Sequence, residues 1–358
     1  MKLSTSKFTE SITDLSNRKY LLFLLFNLLF AATNAQKSTF NTYNLSLPEE
    51  IAYGNNQFSG LYVHEGKLFF MSESRLQEQA EGKLYVIKLS DLDHKMTDTT
   101  YVLPYQKYHL HHLNELRDKI TAAKQIYEGL EAIVIEGNDI YLSVETSTAS
   151  PNCYLLKGKL SDTAVIMNTN FLVTLPKPRR ADGSRIQNAG FEAITMINKQ
   201  VFAFFEFNYF PLKNYVYLPD LRSSIKNRKP REMPIKKLPF RITDITASGK
   251  NEFTAINLFN NDYVGDTIYR TNKNDLNNDK LIKDSTGYRN YIRLITIKFT
   301  GKDFIWETLW EFPPEYLQYN WEGIAAYKDG YFIMNDKYSP QIPNRSTLLY
   351  IKKREEVK

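Results

Sequence analysis

The stretch WEGIAAYKDGYFIMND, residues 321–336, decides the reading of this chain. Two short apolar runs flank Lys328, Asp329 and Gly330, a pattern that predicts a tight β-hairpin. An acid stands at each open end, Glu322 and Asp336, fourteen residues apart. Like charges on facing strands destabilise a hairpin, so the pattern needs a physical reason.

The hairpin has relatives: FSGLYVHEGKLFFMSE (58–73), GLEAIVIEGNDIYLSVE (129–145), GFEAITMINKQVFAFFE (190–206) and, more weakly, ITDITASGKNEFTAIN (242–257). Aligned without gaps, the first position reads Ser59, Glu131, Glu192, Thr243, Glu322. The position fourteen later reads Glu73, Glu145, Glu206, Asn257, Asp336. The segments GKLYVIKLS, CYLLKGKLS, IRLITIKFT and TLLYIKK each follow a hairpin and read as third strands. TTYVLP, FLVTLP and FIWETLWEF read as fourth strands, with NYVYLP and MPIKKLP as weaker outer strands of the third copy. The last copy has no room for a fourth strand, and residues 38–47 are expected to fill the gap beside 347–353. Together these predict an all-β fold, a five-bladed β-propeller of four-stranded blades closed by the N-terminal strand. A sixth blade within 207–241 is the alternative.

In such a fold the inner strands converge on a central channel. Positions 0 and 14 are expected to face each other across each hairpin, and the five first positions to form a ring of three carboxylates and two hydroxyls. Ionised together, the acids would repel and raise one another's pKa. Two remedies exist: basic side chains reaching in, or a hard cation on the axis. The ring offers only oxygen, which favours calcium over zinc. Ser59, Glu131, Glu192, Thr243 and Glu322 are therefore the expected metal ligands, with Ca2+ as cofactor.

The ring resembles the axial calcium site of the calcium-dependent apyrases, the soluble calcium-activated nucleotidase family, which are five-bladed propellers. EGLEAI, GFEAIT and WEGIAAY also look like the esterase-like phytase propellers. Where apyrases carry Asp-Asp-Arg-Thr-Gly after the first hairpin, this chain has Ser72, Glu73, Ser74 and Arg75. The resemblance implies a calcium-dependent phosphohydrolase acting on a small anionic, phosphorylated substrate. In that reading Glu145, Glu206 or Asp336 is the general base, and Arg75, Arg179, Arg180 and Arg185 hold the anion. A glycosidase would also use channel carboxylates and needs no calcium ring, but only three Trp are present to line sugar subsites. A binding propeller with a structural calcium is the non-enzymatic alternative.

Outside the repeat, Arg18 and Lys19 precede the apolar run YLLFLLFNLLFAA, and small residues end at Ala35. That predicts a signal peptide over 1–35, a single mature domain over 36–358, and a secreted or periplasmic protein without a membrane span after cleavage. Cys153 is the one cysteine, so no intrachain disulfide forms. A net charge of +6 gives no reason to expect nucleic acid. YHLHHLNELRDKITAAKQIY (108–127) reads as an amphipathic helix, and its His109, His111 and His112 match no zinc spacing.

Overall fold

The computed structural model describes residues 40–73, 82–222, 229–270, 276–337 and 344–354. The chain divides into two compact units, residues 1–40 and 41–358. Only Phe40 of the first is described, so the expected signal segment lies outside the described residues, as does Arg75.

The architecture is all-β, and its strands follow the repeat. β1 is Phe40–Leu45. The first hairpin is β2 (Phe58–His64) and β3 (Lys67–Ser72), continued by β4 (Lys83–Lys88) and β5 (Gln106–His111). The second group is β6 (Tyr127–Glu136), β7 (Asp139–Thr146), β8 (Asn152–Leu160) and β9 (Ala164–Pro176). The third is β10 (Ala193–Ile197), β11 (Gln200–Phe204), β12 (Tyr215–Leu218) and β13 (Arg231–Pro234). β14 (Arg241–Gly249) and β15 (Glu252–Phe259) open the fourth. A small hairpin, β16 (Lys283–Asp284) with β17 (Gly287–Tyr288), precedes its outer strands β18 (Tyr291–Phe299) and β19 (Phe304–Glu311). β20 (Trp321–Tyr327), β21 (Gly330–Asn335) and β22 (Leu348–Lys353) end the chain.

Each group is an antiparallel meander, and β1 adds to the outer side of β22, as the sequence predicts. The first two groups run together into one eight-stranded sheet, because β5 and β9 pair in parallel from His109↔Ala164 to His111↔Ile166. The inner strands touch in sequence: β2 meets β6, β6 meets β10, β10 meets β14, β14 meets β20, and β20 returns to β2. Apolar side chains fill the space between neighbouring groups. Phe69 and Tyr108 pack with Leu142 and Leu156, and Phe70 and Tyr85 with Phe332 and Met334. Val134 and Leu155 pack with Phe205, and Phe202 and Phe204 with Phe253 and Phe304. Each fully buried side chain of this size contributes roughly 1.5–3 kcal/mol.

Two expectations change, and one alternative is not taken up. TTYVLP is not a strand: the helix Leu89–Thr97 and the turn closed by Thr100 N–H to Asp98 Oδ1 (2.9 Å) carry the chain on to β5 instead. The helix expected over 108–127 is Leu113–Ala122, because the alternation of buried Tyr108 and Leu110 with exposed His109 and His111 belongs to β5. Within 207–241, β12 and β13 are outer strands of the third group and do not form a further blade.

Candidate functional site

The hairpin register differs from the expected one at its open end. Phe58 pairs with Ser72 and Gly60 with Met71, which leaves Ser59 in a β-bulge. Glu131, Thr243 and Glu322 occupy the same kind of bulge. Glu192 immediately precedes β10. A bulged residue has no partner across the ladder and its side chain is re-aimed. The residue fourteen later therefore faces the residue two before the bulge. Gly129 pairs with Glu145, while the amides of Glu73, Glu206 and Asp336 donate to the carbonyls of Gln57, Gly190 and Asn320. Glu131 and Glu145 are thus not cross-strand partners. The fourth hairpin has a second irregularity between Ala247 and Gly249, so Arg241 faces Leu258 and Asn257 shifts one place inward.

The re-aimed acids converge on one cavity of about 520 Å³. Glu131 and Glu322 line it from the bulges, Glu192 from just before β10, and Glu73, Glu145 and Asp336 from the ends of the second strands. Glu206 lies just behind, 1% exposed. Amides surround them: Gln57, Asn188, Asn260, Asn290, Gln318 and Asn320. The expected ring is only partly present, because its two hydroxyls are engaged elsewhere. Ser59 Oγ donates to Leu130 O at 2.8 Å and Thr243 Oγ1 to Trp321 O at 2.7 Å. They lace neighbouring inner strands together.

Basic side chains provide the relief that the sequence left open. Arg241 Nη1 lies 3.4 Å from Glu206 Oε2 and 4.0 Å from Glu192 Oε2, and its Nε lies 3.0 Å from Asp266 Oδ1. The Tyr263 ring covers the guanidinium at 4.5 Å, and the Tyr263 hydroxyl donates to Asn188 O at 2.7 Å. Asn320 Nδ2 bridges Glu322 Oε1 at 2.5 Å and Asp336 Oδ2 at 3.2 Å. Gln57 Nε2 reaches Glu73 at 3.3 Å. Gln57, Arg241 and Asn320 share one column of the repeat, two residues before the bulge. Gly129 and Gly190 fill that column in the other copies, and the next carboxylate packs into the space: a Cβ on Gly129 would lie 2.7 Å from Glu131 Oε1. Extending the alignment two residues upstream would have exposed this set.

Burial dominates the electrostatics. It pushes the Glu145 carboxyl up to about 8, with the charge of Glu206 adding to it and Lys177 opposing. Glu192 is held well above the usual carboxylate range by burial and then by Glu206 and Glu322. Glu322 is raised by burial, against Arg241 and with Asp336. Glu206 is raised by burial but drawn back by Arg241. Asp336 accepts from the Asn320 amide and the Lys337 backbone N–H, donors that suit an ionised carboxylate.

The other expected ligands lie away from the cavity. Arg179 Nη1 donates to Gly183 O at 3.0 Å, Arg180 N to Ser184 O at 2.9 Å, and Arg185 Nη1 to Ala149 O at 2.8 Å. Arg179 and Arg180 close their own turn, Arg185 ties it to Ala149, and none lines the hollow. A hard cation would find oxygen donors in the cavity, yet among the described residues no three His, Cys, Asp or Glu side chains stand close enough as placed to hold a metal ion. Ser59 and Thr243 do not line the cavity and a guanidinium stands among the acids, so the five-ligand calcium ring is not assembled in this arrangement.

No family model matches the sequence, and no curated protein does. Some solved structures are similar. The GH43_1 enzyme from Xanthomonas citri complexed with xylose is 10% identical, with 87% of this chain and 90% of that chain covered and a TM-score of 0.41. CoXyl43, a GH43 β-xylosidase/α-arabinofuranosidase from a compost microbial metagenome, is 6% identical, with 89% and 96% covered and a TM-score of 0.47. The major Malassezia sympodialis allergen Mala s 1 is 11% identical, with 84% and 80% covered and a TM-score of 0.42. These are glycoside hydrolases and an allergen, not apyrases or phytases, and the resemblance to those two families is corrected accordingly. The phosphohydrolase reading and the phosphorylated substrate fall with it. The cavity supplies the physical reason: a phosphate would meet six carboxyl groups, and Arg241 is already engaged by three.

Proposed function

We propose that residues 41–358 form a five-bladed β-propeller whose acid-lined cavity binds a neutral, polyhydroxylated ligand and hydrolyses its glycosidic bond. The cyclic contact of β2, β6, β10, β14 and β20 supports the blade count. Export directed by residues 1–35, with 36–358 as the mature domain, belongs to the same proposal.

One observation carries the functional reading: a single cavity holds carboxyl groups in unlike environments. Glu145 keeps its proton at neutral pH because burial raises it to about 8. It would give that proton to the glycosidic oxygen as the bond to the anomeric carbon breaks. Asp336, with its two N–H donors, would take a proton from the attacking water. The side-chain amides around them donate and accept, which suits neutral hydroxyl groups.

The test is a panel of aryl glycosides and short oligosaccharides, read by colour release and by new reducing ends. Glu145→Gln and Asp336→Asn should each lower turnover about 10²–10⁴-fold while ligand binding persists. If the wild-type protein neither binds nor cleaves any member of the panel, the reading fails.

A further inference from the structure

The acids of this cavity already face a cation, and it is part of the chain. Arg241 is buried, and its guanidinium meets Glu192, Glu206 and Asp266 between 3.0 and 4.0 Å. These three come from separate places: the residue before β10, the segment after β11, and the connection after β15. Asp266 is 0% exposed and also accepts the Asn260 N–H at 2.6 Å, so it is fixed before Arg241 reaches it. Tyr263 closes the other side of the guanidinium. Buried carboxyls without a countercharge take up protons instead of staying ionised, and Arg241 is the charge that draws Glu206 back toward the ionised form.

We propose that Arg241 is the resident cation of the acid cavity, a positioning residue that takes the place of a bound metal, and that its removal would leave a divalent-cation site. The inference concerns the charge balance of the cavity and holds whatever ligand the cavity takes. The geometry follows from what the guanidinium leaves behind. As placed, Glu192, Glu206 and Asp266 stand too far apart to share an ion; without the guanidinium that holds them apart, Glu192 Oε2, Glu206 Oε2 and Asp266 Oδ1 would close on one void as oxygen donors only. That donor set suits calcium or magnesium and offers nothing to a thiophilic ion. Glu192 Oε2 has no hydrogen-bond donor of its own among the described residues, so it is available to such an ion.

Arg241→Met keeps the apolar stem of the side chain and removes the guanidinium with its charge. Thermal unfolding of the full mature chain is measured for wild type, Arg241→Met and Arg241→Lys, each with chelator, with calcium chloride and with magnesium chloride. Isothermal titration of calcium chloride is the second readout. Wild type should unfold at the same temperature in chelator and in calcium. Arg241→Met should unfold lower in chelator and regain about 5 °C or more in millimolar calcium. Arg241→Lys should sit between the two and respond less, since a point charge fills part of the gap. A variant stability lost for packing reasons alone would not return with a cation. Wild type losing stability in chelator would mean that a metal is resident, and the proposal would fall. It would fall equally if folded Arg241→Met neither bound calcium nor gained stability from it. Should Arg241→Met not fold in any buffer, Asp266→Asn decides: it loosens the guanidinium without opening a void. It should lower wild-type stability in every buffer alike, and a calcium-dependent rescue there would overturn the assignment.

Discussion

Asp244 and Ile324, eighty residues apart, are joined by a 2.7 Å hydrogen bond from the Ile324 amide to Asp244 Oδ2. The same oxygen accepts the Leu61 amide at 3.3 Å, and Oδ1 accepts the amide of Ile245 at 2.8 Å. One buried side chain of β14 thus holds β2 and β20, the strands on which the ring of inner strands closes. β2, β14 and β20 are the edge strands of their sheets, so alternate amides point away from the ladder, and the Asp244 side chain accepts them.

That arrangement predicts a large cost for Asp244→Ala. Buried N–H donors would lose their acceptor, at roughly 1–3 kcal/mol each. The variant should unfold at much lower denaturant concentration than wild type, or fail to fold. Asp244→Asn should be intermediate, since its amide NH₂ cannot accept. Chemical denaturation of the variants checks this, and wild-type stability in Asp244→Ala would contradict it.

How much of this was legible in the sequence depends on the level. The hairpins, their acids and the closing strand follow from a column alignment of alternating apolar residues. The bulges did not show, because a bulge inserts no residue into the repeat; it changes which residues face each other. Glu131 and Glu145 keep their spacing in the sequence yet are not partners in the sheet. The hydroxyls of Ser59 and Thr243 were read as ligands, whereas the neighbouring strand's carbonyls take them. Arg241 was overlooked for a simpler reason. It lies immediately upstream of the weakest copy, two residues before Thr243, among many basic residues, and only packing shows that, of the described basic residues there, it is the one that turns inward.

Glu145 gives the protein a pH signature that needs no substrate. Its folded-state value, about 8, lies above its ordinary value of 4.5. Folding therefore takes up a proton between those limits. The stability linked to this group is complete below about pH 4.5 and is lost as pH rises through about 8. Glu145→Gln removes the titration. Its stability relative to wild type should improve steadily from pH 5 to pH 8.5. Unfolding midpoints across that range test it, and parallel curves for the two proteins would refute it.

Asn320 joins Glu322 to Asp336, and its loss should be felt at both. Asn320→Ala removes a donor shared by two carboxyls and leaves their repulsion unscreened. The expected result is a drop in turnover of roughly tenfold or more, with a changed pH optimum. Stability should fall by only about 1–2 kcal/mol, since the carboxyls border a cavity open to water. An unaltered pH profile would remove Asn320 from the catalytic arrangement.

Two glycines separate steric from chemical roles. A Cβ on Gly190 would stand 3.3 Å from both Cβ and Cγ of Glu145, the stem of a buried side chain with little room to retreat. A Cβ on Gly129 would meet the far end of Glu131 at 2.7 Å and otherwise only Glu73, at 3.4 Å or more. Neither glycine has the positive φ that would strain an alanine. Gly190→Ala should therefore cost about 1–3 kcal/mol by crowding Glu145. It should also lower turnover strongly if Glu145 is the acid. Gly129→Ala should cost less, because the Glu131 carboxyl can swing into the cavity and the stiffer unfolded chain returns about 0.4–1 kcal/mol. Its effect should appear in ligand affinity, where the displaced carboxyl takes up space, and hardly in turnover. Denaturation midpoints with kcat and KM for the two variants decide the matter. If Gly129→Ala proved the more destabilising and Gly190→Ala left turnover intact, Glu145 would lose its place as the proton donor.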